Sequence, residues 1–283
     1  MTDEATAGAR PIYRGMNRQA LDAAYNNGNA VADSAQRVQA WREISAAVRA
    51  KPEARLDLPY GPRPRQRLDF FPTVPANAPL FVFIHGGYWQ RNEKETFAFV
   101  AKGPRARGIN VALPGYTLAP DASLTDIVAE IRRALDFLAA RASELGFDAA
   151  RIVVGGWSAG GHLTASVANH PAVRGGLPIS GIFDLEPIAL TYLNEKLQLS
   201  AGEIASLSPL RNLSASLPPL SIAVGGAELP ELRRQSKEYA AAARASGVAV
   251  EFMELAGHHH FSILDELARS DGELTRALEK LVA

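Results

Sequence analysis

A mixed α/β fold on a mostly parallel central sheet is expected for this 283-residue chain from three observations. Short apolar runs recur from residue 54 onward without the polar alternation of a sheet wetted on one side, as strands buried on both faces do. Stretches of helical spacing separate these runs, and strand–helix alternation sustained over roughly 200 residues is the pattern of one layered domain. With 47% hydrophobic and 21% charged residues, the chain has the apolar content for a sizeable core.

Taken in order, residues 1–12 read as a loose arm. Over 34–50 the pattern turns helical, with Val38, Trp41, Ile44 and Val48 forming one apolar stripe. Asp33 or Ser34 can cap this helix, and Lys51-Pro52 ends it. It either packs on the domain or shields an active site. Strand-like runs follow near 54–59, 66–71, 80–85, 109–113, 151–155, 175–180, 219–224 and 248–255. Helices are expected over 95–107, 123–145, 159–169 and 229–246, with a pair after Phe261. In the second of these, Ile127, Ile131, Ala134, Leu135 and Leu138 mark the apolar face. The segment 184–218 is longer than one crossover needs; it holds a capping-box pattern from Ser200 to Glu203 and the loop-like Leu217-Pro218-Pro219. Inserts of this kind form lids or substrate walls. The chain thus divides into an arm and helical segment, 1–52, and a main domain, 53–283, carrying the insert.

Composition excludes several functions. Lys+Arg and Asp+Glu both number 30, so the basic excess of a nucleic-acid binder is missing. The absence of cysteine rules out disulfides, thiolate zinc sites, iron–sulfur clusters and a cysteine nucleophile. Covalent chemistry must come from Ser, Thr, Lys or a carboxylate. An oxidoreductase reading lacks a G-x-G-x-x-G turn after a strand. The acidic N-terminus has no apolar secretory core. The longest uncharged stretch, 152–173, is broken by Gly155, Gly156, Gly160, Gly161, His162, Asn169 and His170, with Pro171 near its end, which suits a buried strand–turn–helix better than a membrane span. A cytoplasmic protein acting on a small molecule is expected, with no nucleic-acid or membrane partner; a homodimer is compatible with the sequence.

The strongest chemical signal is Gly156-Trp157-Ser158-Ala159-Gly160, between a predicted strand and a predicted helix. The glycines let a tight turn approach its walls, and the turn lifts the Ser158 hydroxyl above the sheet at a helix N-terminus. The second is His85-Gly86-Gly87-Tyr88-Trp89, after the third strand-like run. Its bare glycines leave N–H groups open, so Gly86, Gly87 and Tyr88 with Ala159 are candidates for an oxyanion hole. His85 reads as a loop anchor. A serine needs a base. His162 lies one turn beyond Ser158 and is placed to pack beneath it, and His170 reads as surface. His258, His259 and His260 follow the last strand, at the edge where Ser158 also sits. His260, adjoining Phe261 and a helix-forming run, should be best fixed; His259 and His258 are alternatives. A metal site is disfavoured, because adjacent side chains diverge and no carboxylate stands at ligand spacing. The acid that orients the base is Glu228, after the preceding strand, with Glu231 and Asp184 as alternatives.

Together these pieces resemble the α/β-hydrolase superfamily over 55–283. His85-Gly86-Gly87-Tyr88-Trp89 is similar to the HGGxW signature of the kynurenine formamidase (arylformamidase) branch and its carboxylesterase relatives. The stretch from Tyr116 to Pro120 resembles the Y-x-L-A-P of lipase-like esterases. The segment from Ala227 to Ser236 resembles the formamidase acid segment, with Glu228 where Asp is commoner, and His260-Phe261 resembles the branch's H-F. The resemblance implies acyl transfer through Ser158, His260 and Glu228 without metal or organic cofactor, on a small ester or amide. An N-formyl aryl amide is the substrate implied. Tyr88 and Trp89, with Trp157 and Phe183, are candidate pocket walls, although Tyr88 and Trp89 read equally as packing aromatics. A broad short-chain carboxylesterase is the alternative, and a non-catalytic ligand-binding protein on the same fold a further one.

Overall fold

The computed structural model describes residues 10–283; most of the expected loose arm, 1–9, lies outside the described residues. Among the described residues, eight strands form one sheet in the order β1-β2-β4-β3-β5-β6-β7-β8. They are β1 (Arg55–Pro59), β2 (Arg67–Phe71), β3 (Ala78–Ile84), β4 (Asn110–Pro114), β5 (Phe147–Trp157), β6 (Val173–Ile179), β7 (Leu220–Gly225) and β8 (Val250–Leu255). The β1–β2 and β2–β4 pairs are antiparallel, and every other pair is parallel. β3, β4 and β7 are buried along their whole length, which is why their sequences carry no alternation.

Successive side chains of β3 feed two cores. Leu80, Val82 and Ile84 pack on one face with α1 (Arg18–Ala24), α4 (Leu124–Ala140) and α5 (Ala159–Val167). Phe81 and Phe83 pack on the other face with α3 (Ser34–Arg49) and α7 (Glu273–Val282). Between α1 and α3 lies a single turn, α2 (Asn27–Ala30). The helix α6 (Pro230–Ala245) covers β7, with Tyr239, Ala240 and Ala243 against Ile222. Ile127, Ile131, Ala134, Leu135 and Leu138 of α4 are all fully buried, and Ser123 and Asp126 close a capping box at its start.

Several expectations need correction. The helix read over 95–107 is a 3₁₀ helix, Lys94–Ala101, followed by a short α-helix, Lys102–Ala106. Nearly every side chain of the first segment is buried, so packing on all sides, rather than one amphipathic face, decides its backbone. The helix read over 123–145 breaks at Arg141, and its last turn ends on Gly146 at φ 82°. In α3, Trp41 and Val48 are buried but Ile44 is 41% exposed, so the stripe is narrower than its sequence spacing. His170 is buried, its Nε2 3.0 Å from Asp136 Oδ1, where a surface position was expected. The helices α1 and α2 were not read at all; their signals are Asn17 and Asn26, whose side chains accept from the Ala20 and Asn29 N–H groups. Within 184–218 the chain makes three helices of four to seven residues and the 3₁₀ turn Pro209–Arg211, with the Ser200–Glu203 capping box formed.

Candidate active site

Parallel strands deliver their carboxyl ends to one edge of the sheet, and ligand sites in such sheets form there. The loop 85–89 leaves β3, Ser158 follows β5, Ser180 follows β6, Glu228 follows β7 and His258–His260 follow β8. Ser158 sits at φ 60°, ψ −119°, a backbone conformation that costs of order 1–3 kcal/mol for a residue with a side chain. The surroundings impose it: Ser158 N–H donates to the Ile179 carbonyl at 2.8 Å. A Cβ at Gly156 or Gly160 would collide with the Ile84 carbonyl, so both glycines of the turn are fixed by the neighbouring strand.

Of the three adjacent histidines, His260 is the one hydrogen-bonded to a carboxylate among the described residues, whereas His258 Nε2 and His259 Nε2 lie 3.6 Å from Glu266 and 3.9 Å from Asp33. His260 Nδ1 donates to Glu228 Oε2 at 2.7 Å, and both side chains are buried. The other carboxylate oxygen, Oε1, accepts from Gly225 N–H at 2.7 Å and from Ser180 Oγ at 2.5 Å. Three donors therefore fix the carboxylate, and the carboxylate fixes the tautomer that leaves His260 Nε2 with its lone pair free. His258 Nδ1 instead donates to the Ser262 carbonyl, and His259 Nδ1 accepts from the Phe261 and Ser262 N–H groups. The alternative acids are engaged elsewhere: Glu231 pairs with Arg234 at 2.6 Å, and Asp184 with Arg211 at 2.9 Å. Ser158 and His260 line one cavity, with no direct hydrogen bond between them among the described residues. Such bonds tighten on substrate binding in many hydrolytic sites.

The loop after β3 approaches Ser158 closely: a Cβ on Gly86 would lie 2.9 Å from Ser158 Cβ. Gly87, Tyr88 and Trp89 have φ of 123°, 51° and 58°, an unusual run of positive values. Among the described residues, the N–H groups of Gly87, Tyr88 and Ala159 donate to no protein acceptor. His85 anchors the loop from beneath. Its ring stacks on Tyr116 at 4.3 Å, its Nδ1 donates to the Gly86 carbonyl, and burial pulls its pKa down to about 3. His162 packs under the turn, with Nε2 donating to the Leu207 carbonyl, and burial lowers its pKa to about 4. Both are neutral histidines with structural bonds.

The BD-FAE family model matches residues 70–174. A kynurenine formamidase of Danio rerio is 31% identical over 260 residues, covering 87% of each chain. The chain belongs to the kynurenine formamidase family of α/β-hydrolases. Similar solved structures include that of a proposed thioesterase from a Silicibacter species, with TM-score 0.84, 31% identity and coverage of 92% of this chain and 98% of that one. The carboxylesterase EstE1 from a metagenomic library shares the fold with TM-score 0.74 and 23% identity, over 88% of this chain and 96% of that one. This family member is therefore a hydrolase of the serine-hydrolase type that acts on esters or amides.

In this hydrolase the cavity that Ser158 and His260 share has a volume of about 400 Å³. Trp157 lines it, as read from the sequence. Trp89 and Phe183 do not: Trp89 is fully buried with its ring edge-on to His162, and Phe183 stacks on Tyr239 at 4.2 Å. Their size and aromaticity serve the core. The insert 184–218 contributes Tyr192, whereas most of the outer wall comes from the N-terminal segment, through Asn26, Asn27, Ser34, Val38 and Arg42. This wall is held by Tyr88, whose hydroxyl donates to the Tyr25 carbonyl at 2.6 Å and accepts from Asn27 Nδ2 at 3.1 Å. Sequence reasoning missed Ser180, Asn27, Arg42 and Arg91. The run Asn26-Asn27-Gly28-Asn29 was the available signal, a polar cluster between apolar segments. No helix among the described residues is long and apolar enough to cross a membrane.

Proposed function

We propose that this protein hydrolyses N-formyl aryl amides by acyl transfer, with Ser158 as nucleophile, His260 as general base and acid, and Glu228 as the carboxylate that orients it. Ser158 Oγ attacks the formyl carbon while His260 Nε2 takes its proton. The oxyanion rests on the N–H groups of Ala159 and the Gly86–Tyr88 loop, where loss of one donor typically costs about 2.7–4 kcal/mol of barrier. His260 then gives the proton to the departing amine as the C–N bond breaks. Water, deprotonated by the same imidazole, hydrolyses the formyl-serine ester to formate. The observation that carries this reading is the buried His260–Glu228 bond of 2.7 Å on the wall of the cavity that Ser158 enters. The relative named as a kynurenine formamidase supports the formyl amide as substrate.

A short-chain carboxylesterase is the second reading, favoured by a cavity of about 400 Å³, which exceeds the needs of a formyl group. Turnover of an N-formyl aryl amide alongside acetyl, butyryl and longer p-nitrophenyl esters separates the two. The formamidase reading expects the highest kcat/KM for the formyl amide. A preference for acyl chains of four or more carbons would remove it.

A further inference from the structure

We infer that Tyr25 and Asn27 are positioning residues of the oxyanion hole, setting the loop after β3 through the hydroxyl of Tyr88. This rests on the acyl-transfer reading of Ser158 and extends the working site to side chains of the N-terminal segment. Gly87, Tyr88 and Trp89 carry φ of 123°, 51° and 58°. For Tyr88 and Trp89, which have a Cβ, the left-handed region is unfavourable and persists only where the surroundings impose it. The loop must nonetheless keep its N–H groups aimed at one point, because oxyanion donors act through fixed geometry.

Two ends of the loop are held by its own neighbours. The Gly86 carbonyl accepts from His85 Nδ1 and Asn92 Nδ2, and the Trp89 carbonyl accepts from Ala119 N–H at 2.8 Å. Between them, Tyr88 sends its side chain into the N-terminal segment. Its hydroxyl donates to the Tyr25 carbonyl at 2.6 Å and accepts from Asn27 Nδ2 at 3.1 Å. Tyr25 is the C-cap of α1, and the last carbonyls of a helix have no partner within it. The phenol therefore meets an acceptor that the helix end leaves free. With one bond given and one received, the ring is fixed in direction as well as in depth.

Tyr25 is fixed in its turn. Its hydroxyl donates to Glu231 Oε2 at 3.1 Å and accepts from Gln235 Nε2 at 2.7 Å. Both partners lie on α6, shortly after Glu228. Arg234 clamps the two oxygens of Glu231 at 2.9 and 2.6 Å. Gln235 Oε1 accepts from the Phe183 and Asp184 N–H groups at 2.6 and 2.8 Å, on the stretch that begins with Ser180. Tyr25, Tyr88 and Gln235 are all buried. A dry hydrogen-bonded network of this kind favours one arrangement, because moving any member leaves a buried polar group unpaired. The same few side chains thus tie the oxyanion loop to the turn that carries Glu228.

The test compares wild type with Tyr88→Phe, Asn27→Ala, their double variant and Tyr25→Phe. Two quantities are read: kcat and KM for p-nitrophenyl acetate, and the inhibition constant of phenyl trifluoromethyl ketone. Ser158 Oγ adds to that ketone's carbonyl carbon, its proton passes to His260, and the carbonyl π pair becomes an oxyanion seated in the hole. Tyr88→Phe should lower kcat by about tenfold, about 1.4 kcal/mol of barrier, with KM little changed, and weaken the ketone by the same factor. A merely structural role would lower the urea midpoint and leave ketone affinity of the folded variant in place. Asn27→Ala should act in the same direction to a smaller degree, and it decides the matter should Tyr88→Phe not fold. The double variant should lose no more than Tyr88→Phe, since both substitutions act through one oxygen. Tyr25→Phe keeps the carbonyl but frees the ring from α6, and should shift both quantities the same way. Arg18→Gln, on the exposed face of α1, should leave them unchanged. Unchanged kcat and ketone affinity in Tyr88→Phe and Asn27→Ala, or losses that multiply in the double variant, would overturn the inference and leave the Ser158 chemistry standing. A wild type that neither hydrolyses the ester nor binds the ketone would overturn both. Parallel losses without hydrolysis of formanilide would remove the formamide reading and keep the inference.

Discussion

At the scale of single residues, the site depends on how Glu228 is held. Its two oxygens have different tasks: Oε2 takes the His260 Nδ1 proton, and Oε1 is fixed by Gly225 N–H and Ser180 Oγ. The longer stem of Glu, compared with Asp, is accommodated because the residue springs from a turn directly after β7, where a Cβ on Gly225 would meet Glu228 Cγ at 3.1 Å. Glu228→Gln keeps the shape but presents to the imidazole either an N–H donor, which imposes the wrong tautomer, or a neutral oxygen, which accepts the Nδ1 proton without the negative charge. Its kcat should fall by roughly 10⁴-fold, as when an orienting acid is neutralised in such a triad. Steady-state kinetics with an activated ester checks this, and a loss below about tenfold would point to another acid. The meeting of Glu228 and His260 was legible in the chain because each follows a strand end by a few residues, so topology brings them to one edge. Ser180 was not, since a serine after β6 has no signature until β6 and β7 are known to be neighbours. An aromatic beside a catalytic loop reads alike as wall or as core, so Trp89 stays open between the two in the sequence, and Phe183 is misplaced in the wall.

At the scale of elements, the N-terminal helices are structural parts of the catalytic wall. In α3, Trp41 is 3% exposed and meets Phe99 at 5.0 Å, Trp157 at 5.7 Å and Phe261 at 6.0 Å. Trp157 and Phe261 are the chain neighbours of Ser158 and His260, and Trp157 Nε1 donates to the His260 carbonyl at 2.7 Å. One aromatic cluster therefore joins the helix to both halves of the site. Trp41→Ala should destabilise the protein by about 3–5 kcal/mol, the usual cost of emptying a large buried aromatic. Urea denaturation measures this, and a loss under about 1 kcal/mol would mean that α3 packs loosely. The main helix boundaries were readable from apolar spacing. The short helices α1 and α2 were not, because four to seven residues are too few to show a period and only their Asn caps mark them.

At the scale of the whole molecule, two buried neutral histidines tie stability to pH. His85 and His162 have pKa values lowered from 6.5 to about 3 and about 4, in each case chiefly by burial. The unfolded chain takes up these two protons below about pH 6.5, whereas the native protein refuses them until far lower pH. Native stability therefore falls as pH drops from about 6.5 toward about 4, by about 1.4 kcal/mol per pH unit for each histidine. Urea unfolding at about pH 7.5 and about pH 5 should show this decline, and His162→Gln should show a shallower one. Identical pH dependence in the two proteins would exclude the effect. The sheet order itself was legible only as far as its parallel character; the placement of β4 between β2 and β3 depends on pairings that no local run of residues announces.

Hydrolysis by this site requires Ser158 to be an activated nucleophile. Mass spectrometry of the protein after exposure to a fluorophosphonate probe tests that most directly. One adduct is expected, mapped to Ser158, absent in Ser158→Ala and formed far more slowly in His260→Ala. An adduct on another residue, or undiminished labelling of His260→Ala, would contradict it.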